Sequence, residues 1–481
     1  MVERAQPGLR EVAGRAPWLR GSWSLSRAAA RAVSLLALVA ADLAVLAFAM
    51  SSAVAVRISI LPGLSHAFSR PTYPLAHYLG LWWIPLAYLG ALAYAGLYTR
   101  RDPYWEEVRR CLIGATAGAV LIFAILSAAK IGGDASRPVV VLAWAVLLVA
   151  LPLIRGAVKE ALFTIGLWRR PAVLVGEGAL ARTLVGAFRR HRTLGYDVVE
   201  VVADPSRAPE RAAACGAREV ILAIPQLERA EFLRLVERLR GVTENILIVP
   251  DLAEAPVLGV EVLGLMEDRA LLLRVPNNLL RPWNLAIKRA FDLVVGSLLA
   301  LAALPLIAVL AVAVSLDSPG PVLYVEPRIG RRRVPFACFK LRTMLPHADR
   351  LLEQYLAGHP EAASEWARYR KLRSYDPRVT RLGRFLRQYS LDEIPQLINV
   401  VRGEMSLVGP RPYLLPEMAV LEGDSICDVR PGMTGLWQVS GKNALELRER
   451  ARLDRWYVNN WSLWLDVIVL AKTLPVIVRS E

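Results

Sequence analysis

Four apolar runs, at 33–56, 75–98, 111–129 and 139–154, crowd the first third of this 481-residue chain. The first three have the length needed to cross a hydrocarbon core of ~30 Å, and the fourth reaches it by starting near Pro138 and continuing past Arg155. Each is expected to be a transmembrane helix, because a helix satisfies its own backbone polar groups in lipid. A secretory signal suits the first run poorly, since signal cores are only ~7–15 residues long. The remainder is too charged to follow: 55% of the residues are hydrophobic, yet 21% are charged. Membrane and soluble parts must therefore be segregated, and disordered, collagenous and small disulfide-bonded classes are excluded.

Arginine placement orients the spans. Arg20, Arg27 and Arg31 precede the first, Arg100, Arg101, Arg109 and Arg110 lie between the second and third, and Arg155, Lys159, Arg169 and Arg170 follow the fourth. The other two loops carry only Arg57, Arg70 and Arg137, so both ends of a four-helix unit are expected in the cytosol. Asp42 falls inside the first run; with no second acid within the runs, it reads as a carboxylate satisfied by a neighbouring helix rather than as part of a proton pathway.

A fifth run, at 291–314, differs. Lys288 and Arg289 precede it, a dense basic group from Arg328 to Arg342 follows it, and Pro305 lies near its middle. Basic flanks on both sides oppose a simple crossing. A helix that enters the bilayer, bends at Leu304-Pro305 and returns to the same face resolves the conflict. A fifth true span would instead carry the C-terminal part out of the cell.

Between these membrane segments the pattern is soluble α/β. Gly176-x-Gly178-x-x-Ala181 follows a strand-like stretch and opens a helix, and further strands are expected at 198–203, 219–224 and 245–249. Such alternation implies a parallel sheet of Rossmann-like type over 168–275. The glycines suit a pyrophosphate, with Asp204 as a ribose acceptor, but the unit is short for a full dinucleotide fold. The favoured reading is a degenerate domain without cofactor.

Chemistry concentrates after Ser318. Asp392-Glu393 stands among arginines at 378, 381, 384, 387, 402 and 411. Paired carboxylates suit Mg²⁺ and guanidiniums suit phosphates, which together equip a site for phosphoryl transfer. Ser390-x-x-Glu393 also reads as a capping box, although Pro395 would start such a helix awkwardly, so spacing alone admits both readings. The excess of 59 Lys and Arg over 43 Asp and Glu abuts membrane and comes with no recognised nucleic-acid motif, so no nucleic-acid partner is expected. Four isolated cysteines and five scattered histidines offer neither a zinc site nor a disulfide framework.

The strings "KRAFD", "FKLRTM", "SLDEIPQLINVVRGEMSLVGPRP", "RPGMTGLWQVSGKN" and "LDRWYVNNWSLWLDV" resemble the bacterial polyprenyl-phosphate hexose-1-phosphate transferases over 284–480. With four spans and an α/β insert ahead, the architecture is similar to the large subgroup typified by undecaprenyl-phosphate galactose phosphotransferase. One departure is Glu326-Pro327-Arg328-Ile329-Gly330, where the family usually has Gln-Glu-Arg-x-Gly. The resemblance implies an enzyme of the bacterial inner membrane whose domains are a basic N-terminus (1–32), four spans (33–167), the α/β domain (168–275) and a mostly helical cytosolic catalytic domain (276–481) with a re-entrant helix at about 287–315. It further implies Asp392 as nucleophile on a UDP-sugar, Asp392 and Glu393 as holders of Mg²⁺, and Arg387, Arg411, Lys340 and Arg342 as phosphate binders. Polyprenyl phosphate would be the acceptor, the chain would form a homodimer, and galactose is the sugar favoured over glucose or N-acetylated sugars. A nucleotide-sugar dehydratase using NAD is disfavoured, since no tyrosine has a lysine four positions on. A non-enzymatic scaffold is the other alternative.

Overall fold

The first apolar run forms one long helix, α1 (Arg27–Ser59), in the computed structural model, which describes residues 27–65, 73–128, 136–217, 219–250, 261–265, 270–274, 278–369, 372, 375–420, 425–441 and 445–478. The expected basic N-terminus as far as residue 26, the boundary at 275–276 and Asn277 lie outside the described residues, as do residues 442–443 of the motif strings.

The second run is not a single span, which corrects the expectation. It divides into α2 (Leu75–Gly80) and α3 (Trp83–Tyr94). Pro85 supplies the reason: it has no N–H to donate, and its ring would collide with the carbonyl four residues back, on Leu81, where the backbone leaves helical geometry. The third and fourth runs extend well beyond their apolar limits, as α4 (Tyr104–Ala128) and α5 (Arg137–Thr164). α3 packs closely on α4 at Gly114 and Gly118, where an added Cβ would lie 2.8 Å from Leu92 and 3.2 Å from Tyr88.

Those helical extensions carry charges into the bundle. Arg155, wholly buried, donates to Asp42 Oδ2 (2.6 Å), to Glu107 Oε1 (3.1 Å) and to the Leu97 carbonyl (2.8 Å). Lys159 reaches the same Glu107 oxygen at 2.7 Å, and the Tyr98 hydroxyl donates to Asp42 at 2.6 Å. Asp42 is thus held by its neighbours through Oδ2, as expected, while its buried Oδ1 has no hydrogen-bond partner among the described residues. The second acid, Glu107, escaped notice because it precedes the apolar part of its own helix.

Strands and helices then alternate: β1 (Arg170–Val175), α6 (Gly178–Arg190), β2 (Tyr196–Val202), α7 (Ala208–Ala214), β3 (Glu219–Leu222), α8 (Arg229–Arg240) and β4 (Asn245–Ile248). All four strands are parallel in the order β2-β1-β3-β4, with an apolar core on each face of the sheet. The sheet is bolted to the helices. Arg101, in the loop before α4, lies 4.0 Å from the Trp168 ring centroid and donates to the carbonyls of Trp168 and Leu194. Membrane helices and sheet accordingly form one compact unit, Met1–Asp251.

The second unit, Leu252–Glu481, opens with an antiparallel pair, β5 (Glu261–Leu265) and β6 (Ala270–Arg274). There follow α9 (Pro282–Asp317), the antiparallel β7 (Leu323–Ile329) and β8 (Pro335–Leu341), α10 (Ala348–Gly358), α11 (Pro360–Tyr369), α12 (Arg381–Gln388) and α13 (Gln396–Arg402). Two short parallel strands, β9 (Ser406–Val408) and β10 (Gly432–Thr434), precede α14 (Leu447–Asn459) and α15 (Leu463–Val478). Leu397, Val400, Met405, Leu407, Tyr457, Trp461 and Val469 build the core.

α9 is continuous through Pro305, so no interruption of the helix marks that proline. One stripe of α9 packs onto the soluble fold along its length. Arg289 donates to the carbonyls of Val400 and Val401, Asp292 accepts from Leu407 N, Ala300 and Ala303 touch the core, and Leu310 and Val314 pack with Leu341 and Leu386. The opposite stripe exposes Leu293, Val294, Leu298, Leu301, Leu304, Val309 and Val312.

Among the described residues α1, α4, α5 and α9 are long and apolar enough to cross a membrane. Removing one partner of a buried ion pair strands the other. Asp42→Ala should therefore destabilise the protein by about 3–5 kcal/mol, read as a lowered melting temperature in detergent, whereas Asp42→Leu combined with Arg155→Leu should cost less.

Candidate active site

Asp392 and Glu393 do not open a helix. They lie in a single 3₁₀ turn, Leu391–Glu393, and α13 begins only after Pro395. Ser390 preceding them is in the left-handed region (φ 54°) and its side chain caps no helix, so the capping-box alternative fails on geometry. The turn is fixed instead from outside. Lys340, near the end of β8, donates to Glu393 Oε1 at 2.9 Å across a sequence separation of 53 residues.

Asp392 is only 9% exposed. Burial, and then the charge of Glu393, push its pKa up to about 6 against the pull of Lys340 and Arg387. For Lys340, burial works against the ammonium, but Glu393 and Asp392 outweigh it and hold its pKa above the usual lysine value. Arg387 projects from the last turn of α12, and its Nε donates to Thr343 Oγ1 at 2.9 Å. Burial of its guanidinium lowers its pKa, and Asp392 and Asp376 partly restore it. Lys340 and Arg387 thus lie beside the acidic pair.

Arg342 and Arg411 have other surroundings. Arg342 follows β8 and donates through Nη2 to the Ser318 carbonyl at 2.5 Å, while its Nε and Nη1 are buried without a hydrogen-bond partner among the described residues. It ties the exit of α9 to the strand and keeps donors in reserve. Arg411 is placed with a different group. It pairs with Glu417 at 3.2 Å and lies 5.5 Å from the Trp437 ring centroid, which Arg450 approaches to 5.4 Å. Arg328, the retained arginine of the divergent Glu-Pro-Arg string, pairs with Glu326 and donates to the Pro412 carbonyl beside Arg411.

Two further residues stand out that the sequence reading left without a role. Asn399, wholly buried on α13, accepts from Phe339 N (3.1 Å) and donates to the Ala337 carbonyl (2.7 Å) and to Glu404 (2.7 Å). Its amide closes the free edge of β8 as a neighbouring strand would, and so fixes Lys340 relative to the turn that precedes α13. Asp454, also wholly buried, accepts from Arg411 N (3.0 Å) and Tyr413 Oη (2.7 Å), and burial raises its pKa to about 7. Either would be hard to single out from sequence, since all of their partners but Glu404 lie 41 to 62 residues away.

No group of three or more potential metal ligands occurs among the described residues. Two adjacent carboxylates still fit Mg²⁺, which is usually held by one or two carboxylates and completed by water and substrate phosphates. The repulsion between Asp392 and Glu393 is the field that such a cation would relieve.

Comparison with known proteins places this geometry. Residues 283–480 match the family model described as bacterial sugar transferase. The undecaprenyl-phosphate galactose phosphotransferase of Salmonella typhimurium is 33% identical over 84% of this chain and 86% of its own length. The UDP-galactose-lipid carrier transferase of Erwinia amylovora is 34% identical over 80% of this chain and 83% of its own. The exopolysaccharide production protein ExoY of Rhizobium meliloti is 41% identical over 42% of this chain and 89% of its own. A third of the residues shared across most of both chains, together with the matched family model, establish that this chain belongs to the bacterial sugar transferases, as a polyprenyl-phosphate hexose-1-phosphate transferase.

Proposed function

We propose that the enzyme transfers a sugar 1-phosphate from a UDP-sugar to undecaprenyl phosphate through a covalent Asp392 intermediate. The observation that carries this reading is a carboxylate almost removed from water beside Lys340 and Arg387. An Asp392 oxygen attacks the sugar-bearing phosphorus, the bond to UMP breaks, and UMP leaves with the electron pair. An oxygen of the polyprenyl phosphate then attacks the same phosphorus and expels the Asp392 carboxylate. Arg387 and Lys340 offset the phosphate charge so that an anionic nucleophile can approach. Arg342 keeps two donors for the same purpose, and Arg411 serves from its place beside Trp437. When bound, Mg²⁺ neutralises diphosphate charge, with Glu393 and Asp392 as its protein ligands. Galactose is the sugar, in line with the names of the two relatives that span most of this chain.

The site works at the cytosolic face of the inner membrane, in the catalytic domain that follows 275. α9 is the re-entrant element: contacts at both of its ends and along one stripe keep it on one side of the bilayer, while the other stripe is left for lipid. The four-stranded sheet is a Rossmann-like domain without dinucleotide. Gly176 is required because a Cβ there would come within 2.4 Å of the Ala223 carbonyl, and Asp204 is occupied in accepting from Ser206 N. Glu177, at the N-cap of α6, sets an acid where a pyrophosphate would sit.

Asp392→Asn is expected to lose transfer, measured as UMP release from UDP-galactose with undecaprenyl phosphate, and wild type to yield a sugar-phosphoryl adduct on Asp392 by mass spectrometry. Full turnover by the variant would refute the covalent route. With a folded pKa near 6, kcat/KM should fall tenfold per pH unit below about 6 and level off above it. The same shift has a stability consequence of defined sign. Folding raises this pKa from 3.8, so the free enzyme loses stability as pH rises from 3.8 to about 6. Asp392→Asn should therefore be more stable than wild type at neutral pH, by up to about 3 kcal/mol, and the gain should vanish below pH 3.8.

A further inference from the structure

A second cationic site lies at the opposite end of α13 from the acidic pair. Asp392 and Glu393 precede this helix, whereas Arg289 and Arg430 gather at its C-terminal carbonyls, on Val400, Val401 and Gly403. Arg331, in the tight turn between β7 and β8, lies close enough for its charge to act on Arg430. Arg331 and Arg430 line a shallow pocket together with Leu279, Leu285 and Trp461.

How the two arginines are held is informative. Arg430 donates through Nε to the Gly403 carbonyl at 2.7 Å, and Arg331 through Nε to the Asp428 carbonyl at 2.9 Å. Each is pinned by one of its five donors, and the terminal nitrogens of both have no protein hydrogen-bond partner among the described residues. Capping a loop explains the pinned nitrogens and leaves the forks unexplained. Burial, and then the nearby charges of Arg289 and Arg331, lower the pKa of Arg430 against the opposing pull of Asp292. The carboxylate on the rim is that of Asp428, which is exposed. Leu285, Lys288 and Asp292 of α9 form one wall, just where this helix passes into its long apolar stretch.

We propose that Arg331 and Arg430 form a binding site for a phosphate group, distinct from the Asp392 centre, at the point where α9 leaves the soluble fold for the membrane surface. Paired guanidiniums above an apolar floor suit a phosphate that carries a lipid tail, and the same forks would accept free phosphate. This inference stands apart from the transfer chemistry, because its measurement is binding rather than turnover.

The full chain is placed in nanodiscs of neutral phosphatidylcholine, and its melting temperature is followed as phosphatidylglycerol or inorganic phosphate is added. Wild type should gain about 2–4 °C, and Arg331→Gln combined with Arg430→Gln should not. A gain with phosphatidylglycerol alone assigns the site to a lipid headgroup, and a gain with inorganic phosphate alone assigns it to a soluble phosphate. Because the double variant also loses two Nε bonds, the added increment is compared rather than the starting temperature. Asp428→Asn, which keeps both arginines and removes the rim charge, should enlarge the increment. Equal increments in wild type and the double variant, or none in wild type, would overturn the proposal.

Discussion

A carboxylate almost out of water beside a second, half-buried one is repelled by it, and the groups around Asp392 and Glu393 contain that repulsion. Lys340 comes from a strand, Arg387 from a helix end, and the acidic pair from a turn between two helices. None of the three segments could hold this arrangement alone. The Asn399 amide joins strand to helix, Thr343 steadies Arg387, and the core beneath β9 and α14 supplies the rigidity. Burial and the neighbouring Glu393 hold the Asp392 carboxyl above its ordinary pKa, a perturbation of the kind that gathers at functional sites.

Much of this was legible from the chain, for identifiable reasons. Apolar length found the long helices, whereas the bend expected at Pro305 is absent from the continuous α9. Alternation of strand-like and helical stretches gave the parallel sheet, with strands close to their expected limits. The acidic pair and its flanking Lys340 and Arg387 were found by residue type and motif. What escaped depends on tertiary packing. The break at Leu81 is imposed by Pro85 inside an otherwise unbroken apolar run. Ser390 looks like a cap until its backbone turns left-handed. Arg411, grouped with the phosphate binders by motif, is held among Glu417, Trp437 and Asp454, and nothing local in the sequence announces those partners.

The first unit follows a related logic on a different scale. Its sheet does not hang from a flexible tether: Arg101 spans the join, stacked on Trp168 and bonded to two carbonyls. The family model matches residues 283–480, so the helices and sheet of the first unit lie outside the part it describes.

The quartet of Asp42, Glu107, Arg155 and Lys159 bears on how such a chain is made. They belong to three helices that emerge from the ribosome in turn, Asp42 on α1, Glu107 on α4, and Arg155 with Lys159 on α5. A solitary Asp, Lys or Arg at mid-bilayer carries an insertion penalty of about 2.5–3.5 kcal/mol. The early helices must therefore wait with uncompensated acids near water or translocation machinery until α5 delivers their counter-ions. Biogenesis of this membrane unit is thereby bound to the completion of its last helix rather than proceeding one helix at a time.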